Sequence, residues 1–115
     1  MLDTLYTYNC IINNVIDGDT VIADIDLGFK TWLHNARIRF SGINTPEIRG
    51  NEREDGLVSK HFVSAFLEGK PTIIKVLDKA DKYGRILAII YVFDNDTWVN
   101  LNELLVSEGL AKVYI

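Results

Sequence analysis

Apolar and charged residues alternate over Arg37-Ile38-Arg39-Phe40. That period of two marks a strand whose two arginines project from the face opposite Ile38 and Phe40. The strand is expected over residues 31–43. It breaks at Thr45-Pro46, because Pro46 has no amide donor and pushes the residue before it into an extended conformation. Upstream, residues 6–16 and 20–27 read as two strands joined at Asp17-Gly18, with a turn over residues 28–30. Residues 51–55 are polar and charged, a loop. Residues 57–67 fit a helix with Val58, Phe62, Ala65 and Phe66 on one face, stopped by Gly69. Residues 72–77 and 86–93 are a fourth and a fifth strand, the latter apolar without interruption and turning at Asp94-Asn95-Asp96. Asn100 and Glu103 match a capping box for a second helix ending near Gly109, and residues 112–115 form a last short strand. Five short strands with a helix after the third allow a closed barrel, a sandwich or an SH3-like barrel, and periodicity does not choose among them.

Composition narrows the reading. The 115 residues amount to one domain, residues 1–115, and its 48% hydrophobic and 24% charged residues are ordinary for a globular chain. A chain of this size buries ~65% of its unfolded surface, enough for a core without staples. The single cysteine, Cys10, excludes an intrachain disulfide. No apolar run approaches the ~20 residues of a membrane helix. The first ten residues include Asp3 and show no basic, apolar-cored signal segment. The expectation is a soluble monomer, cytoplasmic or the mature part of an exported protein, with no membrane partner. Sixteen acidic against twelve basic residues give a net charge of −4, awkward for a nucleic-acid partner. Distribution matters more than the sum. Arg37, Arg39, Arg49, Arg53, Lys79, Lys82 and Arg85 gather in or beside three motifs, whereas Asp94, Asp96, Glu103 and Glu108 lie elsewhere.

The first motif, Val15 to Val21, sets Asp17 and Asp19 on either side of Gly18, so their carboxylates can converge as hard cations require. The same residues also suit a plain Asp-Gly hairpin turn. The second, Arg39 to Glu47, carries an arginine and a carboxylate across a strand end. The third, Asp81-Lys82-Tyr83-Gly84-Arg85, places another arginine before the fifth strand. Arginine forks suit phosphate oxygens, and a carboxylate beside water can orient it or take its proton.

In this order and spacing, the three motifs resemble the staphylococcal nuclease (thermonuclease) family. The likeness runs from about Asn9 to Tyr114 and includes Asn102-Glu103 and Gly109-Leu110-Ala111-Lys112-Val113. It implies a mainly β, α+β fold: a five-stranded Greek-key barrel of the oligonucleotide/oligosaccharide-binding (OB) type with about two helices. It also implies a calcium-dependent endonuclease acting on DNA, RNA or both. By the same resemblance Asp19 matches a direct calcium ligand, Asp17 a carboxylate acting largely through water, and Thr45 a ligand through its backbone carbonyl. Asn44 stands where the family has an aspartate, so one ligand charge is lost and calcium affinity, and with it metal identity, is open. Arg39, Glu47 and Arg85 match the catalytic trio, and Lys82, Tyr83 and Tyr114 match nucleotide contacts. The alternative is a non-catalytic nucleic-acid or protein-binding barrel, which Asn44 and the acidic balance favour and the intact trio disfavours. Trp32 and Trp98 read as core or edge residues, and His34 and His61 as uninvolved. The loop after Glu47 is short, and the family's best-known member continues with a further helix where this sequence stops, so a minimal version or a trimmed piece is expected.

Overall fold

The structure, a computed structural model, describes residues 5–77 and 83–114. Two long hairpins start it: β1 (Thr7–Asp17), β2 (Thr20–Gly28) and β3 (Thr31–Phe40) pair antiparallel in sequence order. β5 (Thr72–Val76) pairs with the start of β1, and β6 (Ile86–Asp94) pairs with β5. Parallel pairing of β3 with β6, from Ile38↔Ile86 to Phe40↔Ala88, closes the five strands into an OB-type barrel. Inside lie Val21, Ala23, Ile25, Ile38, Phe40, Ile74, Ile90 and Val92, each at most 2% exposed. The alternation read from the sequence therefore points the way it predicts: Ile38 and Phe40 in, Arg37 out.

Three elements depart from expectation. β3 ends at Phe40 instead of running to residue 43. Gly42, at φ +79, turns the chain, and β4 (Ile43–Asn44) leaves the barrel to pair with β8 (Lys112–Val113). Downstream of β6, Asn95 and Asp96 at φ +49 and +63 form a two-residue hairpin, and β7 (Thr97–Asn100) returns along β6. The sequence reading has no strand there, although Thr97, Trp98 and Val99 are strand formers.

The helix α1 (Arg53–Leu67) starts a turn early, following a 3₁₀ turn over Gly50–Glu52, so part of the expected loop is helical. Its buried residues are Gly56, Ser59, Val63 and Leu67. Val58 is 55% exposed and Ala65 is exposed, while Phe62 and Phe66 stack on each other at the border, centroids 5.9 Å apart. The buried stripe is thus rotated from the expected one, and at Gly56 α1 lies too close to the Glu47 backbone for any side chain.

Helix α2 (Leu101–Ser107) opens as expected, with the Asn100 side chain accepting from Glu103 N at 3.0 Å. Its buried Asn102 is a clip. The amide donates to Ser41 O at 2.9 Å and Ala88 O at 3.2 Å and accepts from Ile90 N at 3.1 Å. Three backbone groups at the β3–β6 seam are satisfied by one side chain. Among the described residues no helix is long and apolar enough to cross a membrane.

Candidate active site

The turn between β1 and β2 is two residues, Gly18 and Asp19, inside the pair Asp17↔Thr20. Asp17 Oδ1 accepts from Asp19 N at 3.1 Å, which tightens the turn and brings both carboxylates to one side. Gly18 is required by space: a Cβ there would stand 2.8 Å from Ser59 Cβ and from Thr45 Cγ2. The turn is thus wedged between α1 and the segment that follows β4.

Asp19 is 8% exposed and well partnered. Thr45 N donates to its Oδ2 at 3.0 Å, Thr20 Oγ1 to its Oδ1 at 3.3 Å, and Arg39 Nη1 lies 3.2 Å from Oδ2. Burial pushes Asp17 up to about 6, helped by its hydrogen bond with Asp19 and by that neighbour's negative charge. Arg39 is itself largely buried: Nη1 also donates to Phe40 O at 3.0 Å, and Nη2 donates to Asn44 Oδ1. A single guanidinium therefore joins the β1–β2 turn to β4.

A cleft of about 760 Å³ opens over these groups, lined by Asp17, Asp19, Arg39, Asn44, Thr45, Glu47 and Arg85. Its far wall is Ser59 of α1 and the segment Gly109 to Lys112. A neighbouring hollow of about 580 Å³ shares Arg39, Asn44 and Arg85 and adds Tyr83 and Tyr114. The Arg85 guanidinium lies over the Tyr83 ring, 5.2 Å from its centroid. Tyr83 and Tyr114 are 70% and 59% exposed. Nine of the ten site residues read from the sequence are thus brought to one side of the barrel. The tenth, Lys82, lies outside the described residues.

Three positioning residues escape the sequence reading. Gly56 lies in α1 where a Cβ would sit 2.2 Å from Glu47 O and 2.8 Å from Pro46 O. The helix therefore presses directly on the peptide that presents Glu47. A glycine inside a helix is the available signal, since it is unfavourable there unless space demands it. Ser59, 1% exposed, donates to Leu110 O at 2.8 Å and ties α1 to the far wall. Glu52 Oε1 accepts from Glu47 N at 3.4 Å. Trp32 and Trp98, at 39% and 45% exposed, are edge residues outside the core, and His61 is exposed on α1.

A sequence profile of the staphylococcal nuclease homologue family matches residues 37–115. The chain belongs to the staphylococcal nuclease family. It is 35% identical to an uncharacterised protein of Methanocaldococcus jannaschii over 99% of this chain and 63% of that protein. It is 31% identical to the thermonuclease of Staphylococcus intermedius over 89% of this chain and 57% of that one. The chain thus spans less than two thirds of either relative's length. The profile takes in Arg39, Asn44, Thr45, Glu47 and Arg85 but begins after the Asp17-Gly18-Asp19 turn.

The donor set of this staphylococcal nuclease homologue fits a hard divalent cation by its chemistry. Two carboxylates and an amide side chain line the cleft, with Asp19 Oδ2 and Asn44 Oδ1 also engaged by Arg39. Its formal charge is low, because Asn44 is neutral. Among the described residues no group of three or more His, Cys, Asp or Glu is gathered as a metal cluster.

Proposed function

We propose that this chain is a calcium-dependent phosphodiesterase that cleaves DNA, RNA or both within the strand, acting as a monomer. The observation that carries this reading is the convergence of Arg39, Glu47 and Arg85 on the cleft bordered by the oxygen donors of Asp17, Asp19, Asn44 and Thr45. Asp19, Asn44 and the Thr45 carbonyl would hold the cation directly and Asp17 through water. Bound there, calcium supplies a Lewis acid that polarises a phosphoryl oxygen.

The rest is the work of side chains. Glu47, exposed on the rim with its peptide braced by Gly56 and Glu52, orients a water and takes its proton as the oxygen attacks phosphorus. The bond from phosphorus to the leaving sugar oxygen then breaks. Negative charge grows on the phosphoryl oxygens in this step, and the forks of Arg39 and Arg85 are arranged to offset it. Arg39 is pre-oriented by Asp19, Asn44 and Phe40 O, so little motion of its side chain is frozen out when substrate arrives. Lys82, Tyr83 and Tyr114 contact the nucleotide beside the scissile bond.

Incubation with single-stranded DNA, in calcium or in EDTA, tests the proposal. Fragments in calcium and intact strand in EDTA are expected. Binding without cleavage in either condition would make the chain a binding module and overturn it.

A further inference from the structure

β3 carries chemistry that the cleft does not use. Its inner side is set by Ala36, Ile38 and Phe40, all buried, and its outer side by Arg39 and the exposed Arg37. Strict alternation would turn His34 and Trp32 inward with Ile38. Instead Asn35, at φ +55, is an extra residue between the pairs Ala23↔Ala36 and Ile25↔Leu33, and it shifts the phase by one. Trp32 then pairs with Asp26, and His34 Nδ1 meets Asp24 Oδ1 at 3.2 Å. Both stand on the same side as the pairs Ile22↔Arg37 and Thr20↔Arg39.

The bulge is secured by side chains. Asp24 Oδ1 accepts from Asn35 N and from Asn13 Nδ2, each at 2.9 Å, and Asn13 Nδ2 also reaches Asn35 Oδ1 at 3.3 Å. The Trp32 and His34 rings lie parallel to within 8°, centroids 6.4 Å apart, and His34 exposes 67% of its side chain. Two carboxylates stand beside the rings, Asp24 held in the bulge and Asp26 accepting from Gly28 N at 2.9 Å, so stacking rather than charge must carry a strand there.

We propose that the outer side of β3, through Arg37, His34 and Trp32, is an extended subsite for single-stranded nucleic acid leading away from the cleft. The inference rests on the nuclease reading of the cleft. Arg39, in the cleft, and Arg37 form one run of guanidiniums, and that run continues into two parallel, exposed rings. Base faces stack on such rings without regard to sequence, and only an unpaired strand offers them. From Arg39 to Trp32 is seven residues, roughly 20 Å of strand, a span of several nucleotides.

Binding is measured in EDTA, so that nothing is cut, with labelled oligothymidylates of about 3 and about 12 nucleotides, site sizes for such barrels being ~4–16. The longer strand is expected to bind more tightly than the shorter. Trp32→Ala is expected to weaken the longer one roughly 10- to 100-fold while leaving the shorter unchanged, and Trp32→Phe to recover most of the loss. Equal affinity of the two strands, or no effect of Trp32→Ala on the longer, overturns the subsite and leaves the cleft reading intact. If neither strand binds in EDTA, the subsite, which needs no metal, is overturned, while cleavage in calcium tests the nuclease reading separately. Sedimentation covers the remaining case: a dimer of the parent that Trp32→Ala dissociates would assign this face to a second copy and overturn the proposal.

Discussion

Arg39 shows how much one side chain can be asked to do. Its guanidinium bonds Asp19, Asn44 and the Phe40 carbonyl at once, so its loss removes a link between two walls of the cleft and, in the proposed reaction, a hydrogen-bond donor to the phosphate. Arg39→Ala, Glu47→Ala and Arg85→Ala are each expected to lower the cleavage rate about 10²–10³-fold while the protein stays folded, as judged by circular dichroism. Parental rates in all three would dismiss the catalytic assignment. Asn44→Asp runs the other way. The change is nearly isosteric and restores a charge beside Asp19, so calcium should bind more tightly by calorimetric titration, since ligand charge sets affinity at oxygen sites. The new carboxylate also strengthens the contact with Arg39, now charge-assisted on both sides. Equal calcium affinity in parent and variant would put Asn44 outside the ligand set. That these residues line one cleft was anticipated through the family resemblance, since Asp17 to Asp19 read alone also suit a plain hairpin turn.

Elements were less legible, and the reason is contact between distant segments. Nothing near Gly56 in sequence says that the Glu47 carbonyl will lie against it. Reading the helix by the period of its apolar residues therefore chose Val58 and Ala65, which are exposed, over Gly56 and Ser59, which are buried. Likewise Asn35 tolerates the left-handed conformation as asparagines do, but its place inside an unbroken strand pattern hides the bulge that decides which way Trp32 faces. Gly56→Ala forces backbone apart. It is expected to cost about 1–3 kcal/mol, with a melting temperature lower on the order of 5–10 °C, and to slow cleavage by displacing Glu47. A variant as stable and active as the parent would mean that α1 does not set the position of Glu47. Asn102→Ala strips partners from three backbone groups at the barrel seam and is expected to cost roughly 2–4 kcal/mol in urea unfolding, without a specific effect on calcium affinity. A cost near zero would show that water or a shifted α2 replaces the clip.

At the scale of the whole molecule the net charge of −4 opposes a polyanionic substrate, and in the cleft Arg39, Arg85 and Lys112 stand among five carboxylates. Affinity for DNA should therefore fall gently with salt, corresponding to about two to four released counterions. A steep slope in a salt titration would reveal an extended basic surface elsewhere. The barrel itself was foreseen through the family resemblance, since its strand count suited other all-β folds equally well, and the closing β3–β6 pairing joins residues far apart in the chain. What that closure achieves is to fix the strand end bearing Arg39 against the strand beginning just after Arg85. In the proposed reaction this assembled cleft hydrolyses phosphodiester bonds with Glu47 handling the proton. That reaction is tested most directly by following cleavage of single-stranded DNA in saturating calcium by the parent and by Glu47→Gln, which keeps the shape and removes the base. Rapid, EDTA-sensitive cleavage by the parent and a rate about 10²-fold or more lower in the variant are predicted. Equal rates in the two proteins, or no cleavage by the parent, would contradict it.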